Sequence, residues 1–248
     1  MIPGRLLELP ARLVGCVFDF VFRPALHLHP DRAPPGYPYE PCGRDDPVLS
    51  RALLKAHGLD LTPDIDPRNA IHRAAMLPPD GIAFIARRLG MLGYAPRLKQ
   101  LVRREELQAI ESVVDAPAWS WLGSIERNDG AASGLPMLDG SAAAGSRRWS
   151  AMPGQANRPV AEPAIADLPA AIDHMGWAVL ESAVQSMRPG LAERLLFKLP
   201  KVPPSSPAVD PAEAKILLSS VYLSCIGDWD ADWEPQWRPL MYGEVVPA

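Results

Sequence analysis

The chain has 248 residues, 48% of them hydrophobic and 22% charged, enough to bury a core as one large domain or two small ones. Its net charge of −4 argues against a protein whose main work is coating nucleic acid, because that work needs a basic excess. The 29 prolines, about twice the usual share, exclude a long coiled coil, since proline breaks helices and joins short elements by stiff connections.

At the N-terminal end, Leu6, Leu7 and Leu9 precede an apolar run from Leu13 to Phe22, with Arg5 and Arg12 supplying positive charge. Pro10, Arg12 and Asp19 interrupt the run and no small-residue cleavage site follows, so it reads poorly as a signal peptide. It is also too short and interrupted to span a bilayer. The three cysteines, Cys16, Cys42 and Cys225, are odd in number and far apart, which is the usage of a reducing compartment. A cytoplasmic protein without direct membrane insertion is expected.

Cys16, Phe18, Phe20 and Phe22 alternate with Val17, Asp19 and Val21, which fits either a short strand or a buried helical turn. Residues 30–47, crowded with proline and aspartate, read as loop. Asp46-Pro47 is an N-cap with proline at the first helical position. Val48, Leu49, Ala52, Leu53 and Ala56 then form a helical stripe, with Gly58 as its stop. Asp66-Pro67 repeats that start signal before Ala70, Ile71, Ala74 and Ala75. Asp80 opens a third helix through Ile82, Ile85, Ala86 and Leu89. A fourth follows Pro96, with Leu98, Leu101 and Val102, and Leu107, Ile110 and Val114 lie beyond. Residues 1–125 therefore form an expected N-terminal helical region.

Residues 126–167, typified by Asp129-Gly130-Ala131-Ala132-Ser133-Gly134, hold too few large apolar side chains to offset their chain entropy. They read as a long flexible insertion in which Trp149, beside Arg147 and Arg148, is the one residue suited to dock. Residues 168–248 return to helix signals. Ile172, Met175, Val179, Leu180, Ala183 and Met187 mark one helix, ended by Pro189-Gly190, and Leu191 to Leu199 mark another. Asp210-Pro211 starts a third, which carries Ala214, Ile216, Leu217, Val221 and Leu223 to Cys225. The expected fold class is mainly α: a bundle or array of short helices broken at proline-rich loops, with the two helical regions packed as one domain.

Catalytic and ligand motifs are missing. No Walker-type loop ends in Gly-Lys-Ser/Thr, and Gly90 and Gly93 relieve packing or end a helix rather than cradle phosphate. Cys16, His27, His29 and Cys42 do not have zinc-site spacing. Asp228, Asp230 and Asp232 imitate the start of a calcium loop, but Trp233 stands where glycine is required and Pro239 where glutamate is. There is no nucleophile elbow, and Glu105 and Glu106 belong to an exposed helical face. No catalytic residue, metal or cofactor is therefore expected.

Two features suit recognition. Arg87, Arg88, Arg97, Lys99, Arg103 and Arg104 occur with no acidic residue among them. They form either a solvated face balanced by Glu105, Glu106 and Glu111, or an electropositive patch that docks an acidic partner. Trp229, Trp233 and Trp237, set among acidic residues, are either core against the last helix or a partner-facing aromatic patch.

The segment Phe20-Val21-Phe22-Arg23-Pro24-Ala25-Leu26-His27-Leu28-His29-Pro30 resembles the N-terminal signature of the SctK (YscK-like) proteins of type III secretion sorting platforms. The run from Ile82 through Arg87-Arg88-Leu89-Gly90 to Leu98 and Leu101 is similar to that family's central helices. Arg194-Leu195-Leu196-Phe197-Lys198-Leu199-Pro200 is similar to its helix-ending Leu-Pro element. The resemblance implies a mostly helical, non-enzymatic adaptor that joins the cytoplasmic domain of the inner-membrane ring protein (SctD) to the pod protein (SctQ). The insertion at 126–167 departs from the family pattern. A helical nucleic-acid-binding regulator using the 87–104 patch, and a small helical enzyme, are the alternatives from other classes.

Overall fold

The computed structural model describes residues 11–35, 46–59, 63, 65–101, 103–111, 114–128, 163–202, 209–238 and 241. These residues form ten α-helices and no strand. In chain order the helices are α1 (Ala11–Phe22), α2 (Pro47–Ala56), α3 (Ala70–Met76), α4 (Pro79–Gly93), α5 (Ala95–Leu98) and α6 (Arg104–Ile110). Then come α7 (Ala116–Asn128), α8 (Leu168–Gln185), α9 (Pro189–Lys198) and α10 (Pro211–Trp229). Short 3-10 turns at Pro24–His27, Pro30–Arg32, Ile165–Asp167 and Pro235–Trp237 complete the path.

Asp46 and Asp210 cap as their sequence suggests. Asp46 Oδ1 accepts from the amides of Val48 and Leu49, and Asp210 Oδ1 from those of Ala212 and Glu213, with proline at the first helical position each time. Gly58 lies just past α2 at φ 60°, the left-handed conformation that favours glycine at a helix end. Asp66-Pro67 does not start a helix. Its carboxylate instead closes a turn by accepting from the Arg68 amide at 2.9 Å, and Asn69 caps α3 through the Ile71 amide. Pro189 opens α9 rather than ending α8, which stops at Gln185. The ambiguous Cys16–Phe22 stretch is helical, within α1. The readings placed on Leu6, Leu7 and Leu9, on Cys42 and most of the 30–47 loop, and on residues 129–162 of the insertion lie outside the described residues.

The centre of the molecule is the crossing of α4 and α8, with α10 packed against both. This crossing is unusually close. A Cβ added to Gly90 would lie 1.9 Å from the Ile172 carbonyl oxygen, and one added to Gly176 would lie 1.8 Å from that of Ala86. The backbones therefore touch where side chains would ordinarily stand. Around this contact Ile82, Ile85, Leu89, Ile172, Val179, Leu218 and Val221 are buried in one continuous core. Helices from before and after the insertion share that core. Ala74, Ile85, Leu180 and Leu218 line a cavity of about 10 Å³, barely one water in size and walled by apolar groups.

Basic side chains meet several chain carbonyls. Lys198 Nζ donates to the carbonyls of Ala75 and Leu77 at the end of α3, at 3.0 and 2.8 Å. Arg32 donates to Leu199 and Pro200 carbonyls past α9 and to Glu181 Oε1 at 3.0 Å. Arg194, 1% exposed, donates to the Val21 and Gly190 carbonyls. Of these acceptors, Val21, Ala75 and Leu77 lie at or just past helix C-termini, where carbonyls lack intrahelical donors and carry partial negative charge, so a cation there satisfies both needs.

Candidate docking surface

Arg87 and Arg88 lie on α4, Arg97 on α5 and Arg104 on α6, with Lys99 just past α5 and Arg103 capping α6, and the six do not share one environment. Arg87 is exposed, with Nε 3.4 Å from Asp173 Oδ1 of α8, an ion pair that solvent screens on both sides. Lys99, Arg103 and Arg104 are exposed. The Arg103 amide donates to Glu106 Oε2 at 3.1 Å, which starts α6. Arg97 is half-buried, and its Nη2 donates to the Pro163 carbonyl at 2.9 Å, tying α5 to the residues that lead into α8.

Arg88 is different. It is 3% exposed, and its guanidinium lies over the Phe84 ring at 4.8 Å and the Trp121 ring at 5.3 Å. Nη2 reaches Asp115 Oδ1 at 3.7 Å, while Nε and Nη1 have no hydrogen-bond partner among the described residues. Burial lowers its pKa, with Cys225, Asp115 and Asp228 opposing that shift. The expectation that Arg88 faces solvent with its neighbours is therefore corrected. Its spacing from Ile85, with Leu89 beside it, puts it on the buried face of α4, where it fastens α7 by stacking and by attraction to Asp115. Asp115 also caps α7, accepting from the Ala118 amide at 2.7 Å.

The tryptophans resolve toward core. Trp233 and Trp237 are fully buried, and Trp229, Trp233 and Trp237 form an edge-to-face series at 5.9 and 6.0 Å. Trp233 Nε1 donates to the Tyr222 hydroxyl at 3.0 Å, and that hydroxyl donates to Glu234 Oε1. Arg73, also buried, donates to the same carboxylate oxygen at 2.9 Å and to the Pro67 carbonyl at 2.7 Å. Burial, then the Glu234 charge, pushes the Tyr222 pKa strongly upward, and burial pushes the Cys225 thiol up to about 12. At neutral pH both stay protonated, so neither is a ready nucleophile. This network holds the chain after α10 against α3.

The sequence reasoning missed the buried bases. Leu191, Arg194, Leu195 and Lys198 follow one helical face, and that register alone marks the two cations as inward-facing. It also missed α7, whose Ala118, Trp121 and Leu122 are buried. Two other surface features stand out: the Phe18–Phe22 pair on α1, with tilted rings whose centroids are 5.0 Å apart, and the exposed Ile216 and Leu223 on α10. No group of side chains suited to hold a metal ion, and no helix long and apolar enough to cross a membrane, occurs among the described residues.

The accessible chemistry of the basic segment is thus that of four exposed cations, Arg87, Lys99, Arg103 and Arg104, able to meet carboxylates. No protein-family model matches the chain, and no curated protein or solved structure matches it either.

Proposed function

We propose that this chain is an SctK-like cytoplasmic adaptor of the type III secretion sorting platform. In this reading it sits peripheral to the inner membrane, links the cytoplasmic domain of SctD to SctQ, and is needed for secretion. The observation that carries the reading is the union of two segments that bear the sequence resemblance. Phe20–Pro30 and Arg194–Pro200 are far apart in the chain, yet the His29 amide donates to the Phe197 carbonyl at 2.7 Å and Arg194 donates to the Val21 carbonyl at 3.3 Å. Leu28, Leu49, Leu53 and Phe197 close a small apolar cluster at the same place. The resemblance thus falls on one packed unit rather than on scattered strings. The mainly helical fold agrees with it.

The exposed Arg87, Lys99, Arg103 and Arg104 supply the acidic-partner contact in this reading, and Arg88 supports them from within. Affinity capture of the tagged chain from secreting cells, followed by mass spectrometry, tests the proposal. Enrichment of SctD and SctQ is expected. Recovery of neither, or of chromosomal DNA in their place, would count against it.

A further inference from the structure

Lys198 is the last residue of α9 and sits where α1, α3 and α9 meet. Its side chain is buried, and its amine meets three things: the Ala75 carbonyl, the Leu77 carbonyl, and the face of the Phe20 ring 4.7 Å away. No carboxylate among the described residues lies within ion-pair distance. An ammonium here would be a buried charge without a counter-ion, which is costly even with hydrogen bonds. A neutral amine has two N–H donors, and two carbonyls await them. An ammonium has a third N–H, for which the π face of Phe20 is the remaining partner. Either protonation state therefore fits the same geometry, but only one places net charge in the core.

We propose that Lys198 is a proton-sensitive joint: held by two carbonyls over the Phe20 ring, with no counter-ion among the described residues, its amine changes protonation state within the folded chain while holding α9 to the end of α3. Burial lowers its pKa to about 7, opposed by Cys16 and Asp19 of α1. Asp19 is already engaged by Arg23 at 2.9 Å, so it does not serve as a dedicated counter-ion. His27, in the turn after α1, feels the Lys198 charge, which helps keep its imidazole neutral. From the α3 side only the two backbone carbonyls bond the amine. The unfolded lysine titrates near 10.5, so the unfolded chain binds more protons between about pH 7 and 10.5. Stability rises with pH through that window and carries no contribution to the slope from this group below it.

The test combines two measurements on the full chain. Side-chain NMR of the chain's five lysines should show one titrating near pH 7 that is absent from Lys198→Met. The folding constant of the unsubstituted chain relative to Lys198→Met, from urea denaturation, should rise by nearly tenfold per unit between about pH 8 and 10. It should be flat below about pH 6.5. The absence of any lysine titrating near pH 7 would overturn the proposal, as would an equal pH slope in the two proteins. If Lys198→Met does not fold, the lysine titration of the unsubstituted chain decides alone.

Discussion

Neighbouring arginines have opposite tasks in this protein, and substitution separates them. Arg87→Glu exchanges one exposed, screened ion pair for a repulsion with Asp173, and stability should change by no more than about 0.5–1 kcal/mol. Arg88→Glu puts a carboxylate between Phe84 and Trp121 and beside Asp115, and should cost about 3 kcal/mol or more. Urea denaturation of the two variants checks the contrast, and similar midpoints would contradict it. His27 gives a second residue-scale outcome. Burial, then the charges of Lys198 and Arg23, lowers its pKa from 6.5 to about 4. The unfolded state therefore binds more protons between those values, and stability should fall as pH drops from 6.5 toward 4. His27→Gln should flatten that part of the stability profile, and an unchanged slope would show that other groups set it.

Among the elements, the contact of α4 with α8 admits no added atom at two glycines. Gly90→Ala and Gly176→Ala must each push a helix backbone away, and each should cost about 3 kcal/mol or more despite alanine's better helix propensity. Gly227 on α10 has nothing within 4 Å of an added Cβ, so Gly227→Ala should stabilise by up to about 1 kcal/mol. Thermal melts of the three variants read the difference directly. The helices themselves were legible from sequence wherever a cap and a stripe agreed, as at Asp46-Pro47 and Asp210-Pro211. Asp66-Pro67 misled because the same dipeptide also makes an Asx turn, and the tertiary bond from Arg73 to the Pro67 carbonyl favours that turn. Helix α7 escaped notice because its apolar side chains follow Ala116-Pro117 without a strong stripe and become buried only against Arg88 and α10.

At the scale of the whole molecule, charge and packing divide along the chain in a way that local spacing does not disclose. The basic run was plain in the sequence, but which cations face water depends on the α4 register: Arg88 turns inward while Arg87 turns out. The tryptophans were open to two readings until Tyr222, Glu234 and Arg73 closed around Trp233. Reversing Arg87, Arg103 and Arg104 to glutamate, with Arg88 left intact, should preserve helix content by circular dichroism and, under the proposed function, abolish recruitment to the secretion platform. Residual binding should weaken further as salt is raised, because exposed charges are screened over about 8–10 Å at physiological ionic strength. Normal recruitment of the reversed protein would make these three exposed arginines a solvated face and nothing more.

In the proposed role this chain bridges two proteins. The most direct measurement is sedimentation velocity of the purified chain mixed with the SctD cytoplasmic domain and SctQ, separately and together. A binary complex with each partner is expected, and a ternary species when all three are present that is lost when the chain is omitted. Independent sedimentation of all three proteins at micromolar concentration would contradict it.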